Sequence, residues 1–378
     1  MNDNKLHVLA FYLPQFFPFK ENDEWWGPGF TEWTNVAKAK PLYKGHYQPR
    51  IPADLGFYDL RVPEVREEQA KMAKEAGVTA FCYWHYWFGD GKRLLERVFD
   101  EVLETGKPDF PFCLAWANHS WYKKTWQNNV KDKLLIEQRY PGIEDAKEHF
   151  NFLLKAFRDD RYVKIDGKPF LFIFSPGSLP DEYLSKFNDW AVEAGYPGLY
   201  LVANIKTFEN KNDYLAKGYS AVLVNRIAYE SAPKNFTSKF KRITKWLRKS
   251  SSLIESLAVC IEMSKEKIAK RKPVIVDYSN YYNRLVTDEE YNDDVIPQIV
   301  PQWDHTPRSG LNGISWINTT PEFFSKHVRQ VLDSVKGKKN KIIILKSWNE
   351  WGEGNYMEPD TKFGRGFLHA LRKELDNI

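Results

Sequence analysis

The chain has 378 residues, of which 43% are hydrophobic and 28% charged, and 55 basic against 50 acidic side chains leave a net charge of +5. That composition excludes disorder, a collagen-like repeat and a disulfide scaffold, and the weak positive balance points to no polyanionic partner. The length suits two or three domains, or one (β/α)8 barrel with insertions.

Residues 7–13 read as a strand and 60–76 as a helix stopped by Gly77. A strand at 78–84, a helix at 92–104 and a strand at 110–116 follow. Pro141-Gly142 punctuates the chain before a helix at 143–158, and Lys168-Pro169 introduces an apolar strand at 170–174. A helix at 181–194 and a strand at 198–202 complete the first half. Strand-like runs at 219–224 and 295–300, helices at 321–335 and 363–375, and an apolar run at 341–345 make up the second. Residues 234–272 read as a helical insertion. Continuous apolar strands alternating with helices indicate a parallel sheet covered on both faces. About eight such units favour one α/β TIM barrel over residues 1–378, with long loops after the strands. No strand is followed by a Gly-rich nucleotide motif, so an open doubly wound sheet ranks second.

In a barrel, polar residues just after each strand converge on one rim. Those positions hold Tyr12, Pro14 and Gln15; Trp84, His85 and Tyr86; Trp116, Asn118, His119 and Trp121. Ser175, Asn204, Asn225, Arg226, Trp303 and Asp304 follow, then Trp348, Asn349, Glu350 and Glu353. The chain carries 14 Trp, 20 Tyr and 25 Phe, more than turn-rich segments need for packing alone. Aromatic faces with polar edges suit stacking on sugar rings.

The sharpest chemical motif is Ser347-Trp348-Asn349-Glu350-Trp351-Gly352-Glu353-Gly354, directly after the last apolar run. In a helical or 3-10 turn, carboxylates three positions apart share a face. Glycoside cleavage needs one acid to protonate the departing oxygen and a second carboxylate to assist attack. Burial and mutual repulsion separate the proton affinities of such a pair. The competing reading is an exposed turn with incidental acids.

The segments AFYLPQFFPFKENDEWWGPGFTEWTNV (10–36), HYQPRIPADLGFYDLR (46–61), GVTAFCYWHYWF (77–88), PFCLAWANHSW (111–121) and KSWNEWGEGNYMEP (346–359) resemble the bacterial WbsX-like proteins. These are related to glycoside hydrolase family 99, and the similarity spans essentially the whole chain. The resemblance implies a (β/α)8 barrel and a retaining endo-glycosidase acting on a bacterial polysaccharide or glycan. It gives Glu350 the role of assisting the sugar 2-hydroxyl and Glu353 that of general acid/base. Gly352 stands where the mannan-cleaving relatives usually have His, so the resemblance does not by itself carry their substrate or mechanism over to this chain. WbsX-like proteins are also described as glycosyltransferases, so transfer or transglycosylation in surface-polysaccharide (O-antigen-like) assembly is the second reading. A non-catalytic carbohydrate-binding barrel is the third.

Trp25, Trp26, Glu32 and Trp33, in the loop after the first strand, are candidates for a subsite wall, with compact loop packing as the alternative. His46, Tyr47, Gln48 and Arg50 are candidates for the same cleft, although Arg50 equally suits an ion pair with Asp54. With Trp84, Tyr86, Trp121, Trp303, Trp348, Asn349 and Trp351 they complete the expected substrate-binding set. His85 and His119 suit polar contacts, and no compact ligand spacing argues for metal, so neither metal nor cofactor is expected. Cys82, Cys113 and Cys260 form no CxxC pair. No secretory leader or apolar run of about 18 residues is evident, which favours a cytoplasmic chain. Residues 234–249 carry seven Lys or Arg and no acid, with Phe240, Ile243, Trp246 and Leu247 on one helical face. That stripe suits packing on the barrel or contact with an anionic membrane surface. Nucleic acid is not expected, because no groove-reading motif accompanies it. Oligomeric state is not legible.

Overall fold

The computed structural model describes residues 5–123, 132–227 and 272–377. Eight parallel strands run in chain order around a barrel: β1 (His7–Tyr12), β2 (Ala80–His85), β3 (Phe112–Trp116), β4 (Lys168–Ile173), β5 (Tyr200–Ile205), β6 (Ala221–Val224), β7 (Gln298–Ile299) and β8 (Ile342–Leu345). β1 pairs with both β2 and β8, with Leu9 opposite Ala80 and Ile344, so the first and last strands are neighbours. The seam between β6 and β7 is thin. It consists of a bridge between Val222 and Val295, with Val222 N donating to Asp294 O and Ile296 N donating to Val222 O, each at 2.8 Å. On its other side Pro297 O accepts from Ile344 N at 3.1 Å but Pro297 has no N–H to give β8, and β7 spans two residues where the sequence suggested six.

The helices are α1 (Pro63–Ala76), α2 (Glu96–Thr105), α3 (Ile143–Phe157), α4 (Asp181–Glu193), α5 (Lys211–Ala216), α6 (Pro321–Val335) and α7 (Gly366–Leu375). α1 starts with Pro63 at its first turn and ends at Gly77, whose φ of 89° suits a residue without Cβ. A Cβ at Gly77 would also press on Leu375 and Arg372, so this glycine lets the first and last helices close the outer ring.

Strand parity sorts the aromatics into two layers. Trp84 stacks on Phe11 at 4.5 Å and meets Phe172 and Phe174 inside the barrel. Its neighbours on β2 point the other way: Tyr83 packs on Phe99 of α2 and His85 on His149 of α3. Cys82 and Cys113 are register partners on β2 and β3, both buried and free, and Cys260 lies outside the described residues. So does nearly all of the expected insertion at 234–272, including the basic stripe.

Local elements that the sequence did not announce shape the rim. The segment after β1 holds short helices at Lys20–Trp26 and Glu32–Lys38, the latter capped by Thr31. Trp121–Lys123 pairs antiparallel with Lys133–Ile136 in a hairpin after β3. Val274–Asp277 pairs with Ile314–Ile317 outside the barrel, over a second core of Ile227, Tyr278, Tyr281, Leu285, Val300 and Trp316.

Candidate active site

The carboxylates sit on a small, heavily anchored hairpin. Trp348 N donates to Phe11 O at 2.7 Å, which carries the chain from β8 over the end of β1. Asn349–Glu350 then pairs antiparallel with Asn355–Tyr356, and Trp351–Glu353 forms a 3-10 turn at the tip. Gly354 closes the turn with a φ of 54°. The turn brings Glu350 and Glu353 to one side, as the three-residue spacing predicts.

Other side chains of the hairpin and its flanks are anchors. Asn349 is fully buried, its Oδ1 accepting from Leu13 N at 2.8 Å and its Nδ2 donating to Leu13 O at 3.0 Å. Trp351 stacks on Tyr356 at 3.7 Å and donates from Nε1 to Glu358 Oε2 at 2.6 Å. Tyr58 and Gln69 also donate to Glu358. Burial nevertheless pushes the Glu358 carboxyl up to about 7, against those hydrogen bonds. Trp348 is wholly buried against Phe81.

Asp304 locks the tip from the β7 side. Its N donates to Glu353 O at 2.7 Å, and its carboxylate accepts from Gln48 Nε2 and from Thr306 N and Oγ1, and pairs with His46 Nε2 at 2.7 Å. Burial opposes ionisation here, yet the His46 hydrogen bond, the Arg50 charge and Thr306 hold Asp304 below the usual carboxylate range. Arg50 bonds Gln302 and Gly354 O, whereas Asp54 pairs with Arg365.

At the centre is Arg308, on the short helix Thr306–Ser309. Its Nη1 donates to Glu353 Oε1 at 2.8 Å, its Nη2 to Glu350 Oε1 at 2.9 Å, and its Nε to Glu32 Oε2 at 3.1 Å. Lys346 lines the same compartment, and burial lowers its proton affinity despite Glu353 and Glu350. Three carboxylates against Arg308 and Lys346 leave one excess negative charge. Burial, with the charges of Glu353 and Glu32, pushes Glu350 well above the ordinary carboxylate range, Arg308 opposing.

Two adjoining compartments open above the barrel. The inner one, about 260 Å³, is lined by Leu13, Trp84, Tyr86, Phe174, Asn225, Trp303, Lys346, Ser347, Asn355 and the two carboxylates. The outer one, about 620 Å³, is lined by Trp25, Trp26, Phe30, Glu32, Tyr122, Leu135 and His305 among others. Gln15, His119, Trp121 and Arg308 belong to both walls. Around the inner compartment, Asn225 Oδ1, Trp303 Nε1, Ser347 Oγ, His119 Nδ1 and both amide atoms of Asn355 are buried without a hydrogen-bond partner. Such groups are costly to leave unmet.

The structure thus brings Trp25, Trp26, Trp84, Tyr86, His119, Trp121, Trp303, Glu350 and Glu353 to one cleft. Other expected contacts lie elsewhere. Tyr12 is on the outward side of β1 and donates to Gln69 of α1. His85 pairs with His149, and Trp116 donates to Trp87 O while packing on His149. Trp33 donates to Tyr58 O and packs on Trp351. Asn118 spans Ser175 and Tyr140. His46, Asp304, Trp348, Asn349 and Trp351 hold the hairpin rather than lining the cleft. Among the described residues, no three His, Cys, Asp or Glu side chains are grouped to hold a metal ion. No helix among them is long and apolar enough to cross a membrane.

Sequence reasoning missed Arg308, Lys346 and Asn355 as site residues. A lysine ending the apolar run of β8 was a usable signal for one of them. Arg308 lies in His305-Thr306-Pro307-Arg308-Ser309-Gly310, which carries no comparable pattern.

Solved structures share the barrel fold. The GH99 endo-alpha-mannosidase from Bacteroides thetaiotaomicron superposes with a TM-score of 0.56 at 14% identity, covering 99% of this chain and 98% of the other. A chain described as a glycoside hydrolase-like protein gives 0.56 at 17% identity, over 98% and 94% of the two chains. The particular family follows from sequence: residues 8–371 match the model of the family described as Glycosyltransferase WbsX, and the chain belongs to that family. It is 32% identical over 374 residues to the protein WxcX of Xanthomonas campestris pv. campestris, which is described as uncharacterized. The match covers 97% of this chain and 49% of WxcX, so the chain spans about half the length of that relative.

Proposed function

We propose that the chain is a retaining endo-glycosidase that cleaves within a bacterial polysaccharide or glycan. The observation that carries this reading is the inner compartment, where Glu350 and Glu353 face one space lined by Trp84, Tyr86 and Trp303. In the first step the sugar O2 gives its proton to the Glu350 carboxylate and bonds to C1, while the C1–O glycosidic bond breaks and Glu353 protonates the leaving oxygen. In the second, Glu353 takes a proton from water as the water oxygen bonds to C1. The C1–O2 bond opens and Glu350 returns its proton to O2. Net consumption is one water, and C1 is inverted twice, so configuration is retained. Trp25, Trp26 and Trp121 flank the neighbouring sugars in the outer compartment.

Incubating the protein with a panel of purified bacterial polysaccharides, followed by mass analysis of released reducing ends, tests the reading. Fragments from wild type but not from Glu350→Gln or Glu353→Gln support it. Release that persists in both variants removes it.

One observation favours transfer as the second reading. Arg308 holds Glu353 Oε1, and an ion-paired carboxylate is a poor general acid unless the leaving group needs little protonation. Growth of a glycan only when an activated sugar donor is added would select that reading. Contact of residues 234–249 with an anionic membrane belongs to the same proposal and rests on their seven basic residues alone. Sedimentation with anionic vesicles at two salt concentrations tests it.

A further inference from the structure

The carboxylate pair is not held by the hairpin alone. One planar guanidinium contacts Glu350 and Glu353 through separate nitrogens, at 2.9 and 2.8 Å, and reaches Glu32 with Nε at 3.1 Å. The three acids come from distant parts of the chain: Glu32 from the helix after β1, Glu350 and Glu353 from the hairpin after β8. Arg308 itself comes from the loop after β7. Side-chain exposure is 24% for Arg308, 10% for Glu32, 13% for Glu350 and 22% for Glu353, so water weakens these pairs only in part.

Gly352 explains why this arrangement fits. A Cβ there would collide with Glu32 Oε2 and lie 2.9 Å from Arg308 Nε. The glycine carries no positive φ, so its role is the space it leaves for the Glu32–Arg308 contact.

We propose that Glu32 and Arg308 form a positioning pair, admitted by Gly352, that fixes the relative placement of Glu350 and Glu353. Arg308 presents two parallel donors to two acids, so its plane sets where their Oε1 atoms lie. Glu32 keeps that plane from swinging toward either acid alone. The pair also bears on the proton affinity of Glu350, which Arg308 lowers and Glu32 raises. Among the described residues, the charged or titratable groups facing the two acids are Glu32, Tyr86, His119, His305, Arg308 and Lys346. In use, the leaving oxygen takes over from Arg308 at Glu353 while Glu32 retains the guanidinium. This consequence rests on the glycosidase reading; the positioning itself does not.

The test needs no substrate. The full chain is labelled with ¹³C at the Glu carboxyls, the Glu350 and Glu353 signals are identified from the spectra of Glu350→Gln and Glu353→Gln, and their titration is followed. Arg308→Gln removes the guanidinium in contact with both acids, and their titration should move up by about one pH unit or more. Arg308→Lys keeps the charge but not the fork and should give a smaller rise. Gly352→Ala changes no charge, but its Cβ displaces both Glu32 and Arg308, whose charges act on Glu350 in opposite directions, so the titration should shift from wild type, by about half a unit. If Arg308→Gln does not fold, the other two variants decide. A Gly352→Ala protein that melts normally and titrates as wild type overturns the proposal. Normal turnover in both Gln variants of Glu350 and Glu353 would remove the glycosidase reading and leave the positioning pair standing.

Discussion

The two compartments of the cleft are built on opposite principles. Around the inner one, the hairpin after β8 is pinned through Asn349 to Leu13, through Trp351 to Glu358, and through Glu353 O to Asp304. The outer one is made of short elements inserted after β1 and β3, and its apolar groups stay in contact with solvent: Trp26 is 43% exposed and Tyr122 46%. Trp26 stacks on Phe30 and lies beneath Lys123 Nζ at 4.7 Å, contacts that set a ring face without burying it. Groups that must meet a reacting bond need fixed positions. Rings that hold neighbouring sugars tolerate movement and variation.

Variants on the two sides should therefore fail differently. On the floor, Glu353→Gln and Glu350→Gln should each lower turnover by about 10²–10⁴-fold with melting within a few degrees of wild type. Parallel calorimetry and product release check this. Next comes the floor's support: Trp351→Ala removes a fully buried ring and leaves Glu358 short of a donor, and should destabilise by about 3–5 kcal/mol in denaturant melts. Activity should fall with it, which distinguishes a support from a reacting group.

Glu358 gives the floor a pH signature. Its folded proton affinity, about 7, lies above its ordinary value of 4.5, so between those values the folded state binds more protons than the unfolded. The stability this confers is complete below about 4.5 and is lost as pH rises toward 7, a change of about 3 kcal/mol. Wild type minus Glu358→Gln should show that slope in urea melts at a series of pH values. A difference that does not vary with pH would mean that the three donors keep Glu358 ionised throughout. Smallest is the lip: Trp26→Ala should leave melting unchanged and weaken glycan binding by about 1 kcal/mol, seen as a several-fold rise in KM with kcat retained. A loss of kcat at Trp26 would blur the division between lip and floor.

Legibility in the sequence follows the same division. Strand–helix alternation is written in apolar runs and helix stops, and β1 to β5 fall within a few residues of the expected spans. Position after a strand was a good guide to height in the barrel but not to direction. Because both faces of these strands are buried, their sequences do not alternate apolar with polar, so Tyr12, His85 and Trp116 read like their inward neighbours Phe11, Trp84 and Ala115. The stacking of Trp84 on Phe11 fixes the parity, and that contact lies between strands rather than along one. Trp33, Trp348 and Trp351 look like sugar platforms by composition, yet serve as the packing that keeps a polar hairpin in place. Arg308 was invisible because its meaning depends on three acids that the barrel gathers from residues 32, 350 and 353.

The central claim is a division of labour between Glu350 and Glu353, and the most direct test compares their Gln variants on two versions of one cleavable glycoside. One version has an ordinary sugar leaving group, and the other has a leaving group that departs without protonation. Glu353 is needed in the first step only as an acid, so Glu353→Gln should recover about tenfold or more of its lost rate of bond cleavage on the activated version. Glu350 assists attack at C1 whatever departs, so Glu350→Gln should recover much less. Equal recovery by the two variants, or near-wild-type rates on the ordinary version with both folds intact, would contradict the assignment.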